Sequence, residues 1–247
     1  MLLRILMSGD LRMALIVLAL SLPAIVLCLS VHEAAHGAAA YLQGDRTAHD
    51  SGRITLSPLA HIDPIGFLCL LLFGFGWARP VPVDISRFRD RRRGMALTAL
   101  AGPVANFVTA LLAFTAYLLL GDWLIGPQVF AMGTNGIYLL LGLLTTGQLA
   151  VHGAAAFLLV LLLFLGYTAT LSVGLGVFNL IPVHPLDGSR VVDALLPFSW
   201  TSKLQQYRGA ILLVFIAALY FGWLDGLIVA ADRLLLGAAA RIALLFV

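Results

Sequence analysis

His32-Glu33-Ala34-Ala35-His36 lies inside an apolar run that extends from Met13 to Leu42. Two histidines four apart on a helix stand about 40° apart around its axis, so both can reach one metal ion. The glutamate beside the first has the chemistry to take a proton from a metal-bound water. The spacing alone is a modest signal, and the surroundings decide its meaning.

Those surroundings are membrane-like. Of the 247 residues, 61% are hydrophobic and 11% charged, with a mean hydropathy of +1.01. A soluble domain carries about 25% charged residues, so the composition predicts a polytopic membrane protein. Four segments carry the expectation: Met13 to Leu42, Met95 to Leu120, Ala154 to Ile181 and Ala210 to Trp223. The first three can each cross a hydrocarbon core about 30 Å thick; the fourth does so only by continuing past Asp225 toward Ala231. Arg4 and Arg12 precede an apolar stretch, but no convincing cleavage site interrupts it before the histidines, so the segment reads as retained rather than as a signal peptide. Cys28 and Cys69 fall in apolar segments and predict no disulfide. Cys28, one turn before His32, reads as a small buried core residue, with a place in the site as the alternative.

No Lys or Arg occurs between Arg93 and Arg190. The positive-inside rule places the charged regions on either side of that gap in the cytoplasm and Gly121 to Gly153 outside. The Arg87 to Arg93 cluster reads as a topology anchor near anionic lipid, not as a nucleic-acid site. Ile65 to Trp77 is too short to span and reads as re-entrant or surface-lying. Val129 to Val151 contains Thr134, Asn135, Thr145, Thr146 and Gln148, and is expected to dip or lie flat. Arg4 and Arg12 then fall outside, the exception to the rule. Arg53-Ile54-Thr55-Leu56 alternates like a strand, and Ala78-Arg79-Pro80-Val81-Pro82-Val83 reads as an extended edge. The expectation is an all-α polytopic membrane protein of about four to six transmembrane helices, with a small membrane-associated β element on the cytoplasmic side. Residues 1–247 read as one domain, with a catalytic core over about 12–193 and a C-terminal helical region over 194–247.

A catalytic zinc usually has three protein ligands and an open position. The best third candidate lies in Asn179-Leu180-Ile181-Pro182-Val183-His184-Pro185-Leu186-Asp187-Gly188. Its prolines end the helix and bring Asp187 to the level of His32 and His36. An ionisable group there is costly unless paired or metal-bound; a helix cap from Asp187 or Ser189 is the alternative. His184 could supplement the metal but reads as a polar group at the helix break. His49, His61 and His152 are not assigned to the metal.

Three pieces together resemble the site-2 protease family of intramembrane zinc metalloproteases, in its compact prokaryotic form: His32 to His36, Ala101-Gly102-Pro103-Val104-Ala105-Asn106, and Asn179 to Gly188. The resemblance spans about Ile25 to Asp193 and lacks an inserted PDZ domain. It implies that His32, His36 and Asp187 bind one Zn2+ ion, that Glu33 is the general base, and that Asn106 and Asn179 lie near substrate. It further implies transmembrane protein substrates, with the active site toward the cytoplasmic side of a prokaryotic cell membrane. The extended segments around Ile54 and Val81 are expected to receive an unwound substrate by strand addition. A divalent-metal transporter is the alternative, but the ionisable groups cluster at one depth rather than along a path. An inactive scaffold would have no need of Glu33. Nothing in the sequence sets an oligomeric state.

Overall fold

Asp90 caps the longest helix among the described residues, its carboxylate accepting the N–H groups of Arg92 and Arg93. The computed structural model describes residues 11–73, 77–145 and 152–247. The helices are α1 (Leu11–Leu42), α2 (Thr47–Asp50), α3 (Pro58–His61), α4 (Pro64–Phe73), α5 (Arg91–Ile125) and α6 (Gln128–Met132), followed by α7 (Asn135–Thr145), α8 (Ala154–Leu180), α9 (Asp187–Leu195), α10 (Phe198–Gln206), α11 (Arg208–Tyr220) and α12 (Asp225–Ala243). Among the described residues, three helices are long and apolar enough to cross a membrane: α1 over Leu15–Leu42, α5 and α8. Even the 27 residues of α8 reach about 40 Å at 1.5 Å per residue.

These three helices form the frame. The α5–α8 interface is the most extensive, and α1 packs against both. Ala110, Phe114, Tyr117 and Leu118 of α5 meet Leu159, Leu162, Leu163 and Val173 of α8 in the buried core. Val108, Leu112, Phe157 and Val160 are exposed on the outer faces, as lipid-facing side chains must be. Lipid tails are as apolar as leucine, so helix association depends on close packing at small residues. Gly176 provides one such contact: a Cβ there would lie 2.8 Å from the Phe107 ring. The Tyr117 hydroxyl, buried in this core, donates to the Gly133 carbonyl at 3.3 Å.

The fourth expected crossing does not run straight. The chain breaks between Tyr220 and Asp225, where Gly222 adopts φ +69°, and α12 leaves α11 at 69°. The described residues therefore give three crossings, or up to four if the bent pair counts as one. The 11 residues of α7 reach only about 16 Å, and the ten of α4 about 15 Å. The remainder of the ambiguous Val129 to Val151 segment, from 146 to 151, lies outside the described residues.

The expected β element is absent among the described residues. One isolated antiparallel bridge joins Ile62 to Ala78. Pro80 and Pro82 leave only the edge carrying the Arg79, Val81 and Val83 N–H groups able to donate to a ladder, and the Val81 N–H is taken by the Glu33 carboxylate. One backbone bond and several side chains hold the segment instead. Arg79 N–H reaches the His61 carbonyl at 2.8 Å. The Asp45 carboxylate accepts Asp84 N–H at 2.7 Å through one oxygen and both the N–H and hydroxyl of Thr47 through the other. The pinned segment meets the C-terminal part of α1, where the histidines are, through Val81 and Glu33.

Candidate metal centre

One turn of α1 carries both histidines, and each ring is oriented from behind. His36 Nδ1–H donates to the Thr98 carbonyl of α5 at 2.7 Å, which leaves its Nε2 with a lone pair. The His32 Nδ1 faces the Asn106 side-chain amide of α5 at 2.9 Å. Asn106 is fully buried, and its Oδ1 has no donor among the described residues. The two ends of an amide have the same shape. With Oδ1 turned onto His32 Nδ1–H, the orphaned oxygen gains its partner and His32 Nε2 also presents a lone pair.

Asp187 arrives from the other side, in the first turn of α9. No side-chain cap forms on that helix, so the carboxylate is not used as an N-cap. Its Oδ2 lies 3.0 Å from His32 Nε2 and 3.1 Å from His36 Nε2, and the two nitrogens are 3.0 Å apart. Relative exposures of 4%, 8% and 9% for His32, His36 and Asp187 mean that bulk water does not solvate the cluster. Three electron-pair donors then converge, one of them anionic. That arrangement is repulsive by itself and is resolved by a cation. Two imidazoles and a carboxylate suit zinc, with a fourth position left open.

Glu33 opens on the same space. A cleft of about 250 Å3 is lined by His32, Glu33, His36, Asp187, Val81 and Asn179, among others. Glu33 Oε2 accepts the Val81 N–H at 3.0 Å, and among the described residues its second oxygen has no hydrogen-bond partner. This bond corrects one expectation, since the Val81 N–H is already engaged and is not a vacant donor for an added strand. Ile54 does not line the cleft either; it packs toward Gly37.

The remaining residues fall into place around this centre. Asn179 lines the cleft, with its amide donating to the Leu175 carbonyl at 2.9 Å. Asn106 lies behind His32 rather than in the cleft. His184 lines a separate recess with Ser189, Asp193 and Arg208. Burial, together with the charges of Arg208 and Arg190, holds its pKa below the usual histidine value. Cys28 is buried with its sulfur 3.0 Å from the Ser172 hydroxyl, outside the metal-ligating cluster. The sequence alone assigns Gly102 no role. A Cβ there would stand 2.5 Å from His36 Nε2 and 2.7 Å from His32 Nε2, so only glycine lets α5 approach the centre. The Ala101 to Asn106 motif thus supplies close approach and ring orientation.

A bundle of membrane-length helices with this centre at one end defines a class, the membrane zinc metalloproteases. Within that class the chain belongs to peptidase family M50, the site-2 protease family, whose sequence model matches residues 20–222. It is similar to the putative zinc metalloprotease YwhC of Bacillus subtilis (strain 168), with 34% identity over 192 residues covering 78% of this chain and 76% of the relative. No solved structure matches. The protein is therefore a multi-pass membrane metalloendopeptidase, and the transporter and scaffold alternatives fall away.

Proposed function

We propose that this protein hydrolyses peptide bonds in or near transmembrane segments of membrane-protein substrates, using one zinc ion held by His32, His36 and Asp187 with Glu33 as general base. The observation that carries the reading is the convergence of three ligand atoms, two imidazole nitrogens and a carboxylate oxygen within 3.1 Å of one another, on the cleft where Glu33 also opens. When bound, zinc supplies Lewis acidity, bringing the pKa of water to about 7 and polarising the scissile carbonyl.

The chain's own residues supply the rest. Thr98 and Asn106 keep the imidazoles turned inward. Glu33, held through Oε2 by the Val81 N–H, receives a proton on its free oxygen from the attacking water and returns it to the leaving amine. Leu29, Trp77, Leu175 and Phe178 line the cleft with apolar surface and limit bulk water. A substrate helix must unwind locally, because its amides are bonded internally. Trp77 to Val83 forms one wall of the cleft and is the surface on which the unwound segment lies. The charge distribution supports a cytoplasmic active site in a prokaryotic cell membrane, since Arg79, Arg87 to Arg93 and Arg190 all flank this end of the frame. The partners are transmembrane substrates and the bilayer; the arginine cluster at Arg91 to Arg93 serves lipid rather than nucleic acid.

The ligand set is tested by zinc analysis and cleavage of a model transmembrane substrate in liposomes. His36→Ala and Asp187→Asn are expected to lose both the zinc and the turnover. An Asp187→Asn protein with one zinc per chain and wild-type turnover would overturn the assignment.

A further inference from the structure

Arg53 is only 9% exposed and forms no ion pair among the described residues. Burying a guanidinium is costly unless its donors are used. Its Nη2 donates to two backbone carbonyls, Arg79 at 2.7 Å and Pro80 at 3.2 Å. The second carbonyl is informative. Pro80 C=O and Val81 N–H belong to one planar peptide unit and point in opposite directions. Arg53 therefore holds the oxygen edge of that unit, and Glu33 Oε2 takes the N–H edge at 3.0 Å. Burial and the Arg79 charge disfavour the Arg53 cation, and the nearby Glu33 carboxylate partly offsets them. Hydrogen bonding at the oxygen also polarises the N–H toward Glu33. Prolines at 80 and 82 leave Val81 as the sole N–H donor of that triplet.

We propose that Arg53 is a positioning residue for peptide hydrolysis: it fixes the Pro80–Val81 peptide so that its N–H holds the Glu33 carboxylate over the cleft. The inference rests on the role proposed for Glu33. It assigns a function to a buried cation that neither binds the metal nor lines the cleft.

The test compares wild type with Arg53→Ala and Arg53→Lys. Readouts are kcat and KM on a model transmembrane substrate in liposomes, bound zinc, and amide hydrogen exchange across Arg79 to Asp84. One nitrogen makes both bonds, so a lysine Nζ can replace it in part. Arg53→Ala is expected to lower kcat about 10- to 100-fold, the scale of a misplaced catalytic group, with KM within about threefold and zinc retained. Exchange at the Val81 amide is expected to accelerate about tenfold or more, the kinetic signature of a lost hydrogen bond of about 1.4 kcal/mol. Arg53→Lys is expected to recover most of both, and Arg53→Met, which keeps the stem's volume without a donor, takes the place of the alanine variant if that protein does not fold. Unchanged Val81 exchange, unchanged kcat, or a lysine variant no better than the folded alanine or methionine variant would overturn the proposal. Hydrogen exchange needs no turnover. Arg53-dependent protection of Val81 alongside normal cleavage by Glu33→Gln would instead place the fault in the role given to Glu33.

Discussion

Gly102 shows how tightly the centre is built at the scale of single residues. A methyl group there would overlap His36 Nε2 and His32 Nε2, so Gly102→Ala must push the rings or α5 aside. Zinc affinity is expected to fall about 10- to 100-fold, the usual penalty for disturbing what supports a ligand. Competition with a chelating dye measures it, and wild-type affinity would refute the packing argument. Asn106 makes a second test. Asn106→Leu keeps most of the volume but leaves His32 Nδ1 without a partner, and zinc is expected to bind more weakly by a similar factor. An unchanged dissociation constant would show that the amide does not set the ring's tautomer. The ligands were legible in the sequence because few residue types bind zinc and their spacing fits a helix. Gly102 and the Thr98 carbonyl were not. A missing side chain and a backbone oxygen carry no residue-type signal, and their roles appear only once α5 lies against α1.

Among the elements, the segment between α1 and α5 differs most from expectation. The alternation at Arg53 to Leu56 and the prolines of 78–83 suggested strands, yet side chains replace the ladder. The buried Asp45 is one of those pins. Burial acts to raise its carboxyl, but the Thr47 hydroxyl, the Asp84 and Thr47 N–H groups and the nearby Arg87 charge outweigh it, so its pKa lies below the ordinary value. A depressed folded pKa contributes stability above the unfolded value of about 3.9, and that stability is lost as the pH falls through the folded value. Asp45→Asn is expected to destabilise the protein by about 1–3 kcal/mol at pH 7, with the gap to wild type closing below about pH 4. Thermal unfolding from pH 7 to pH 3 checks this, and a gap independent of pH would count against an ionised pin. The break before α12 was also hidden, because hydropathy registers an apolar run but not the left-handed turn at Gly222. The long spans α1, α5 and α8 were legible, since helices of membrane length leave a continuous apolar signal.

Across the whole molecule, α1, α5 and α8 form the frame, α1 contributes the histidines, and α9 returns Asp187 to them. Four stretches distant in sequence thus meet at one end of the bundle: Glu33, the 77–84 segment, the start of α5 and the turn after α8. The ligand cluster is repulsive without a cation, so zinc should stabilise the fold as well as serve it. Chelation is expected to lower Tm in wild type and leave Asp187→Asn unaffected; equal Tm with and without zinc in wild type would separate the metal from stability. The central claim is tested most directly by liposome cleavage of a model transmembrane substrate, comparing wild type with Glu33→Gln at matched zinc content. Product from wild type alone is the predicted result. Equal cleavage by the two proteins would contradict Glu33 as the base.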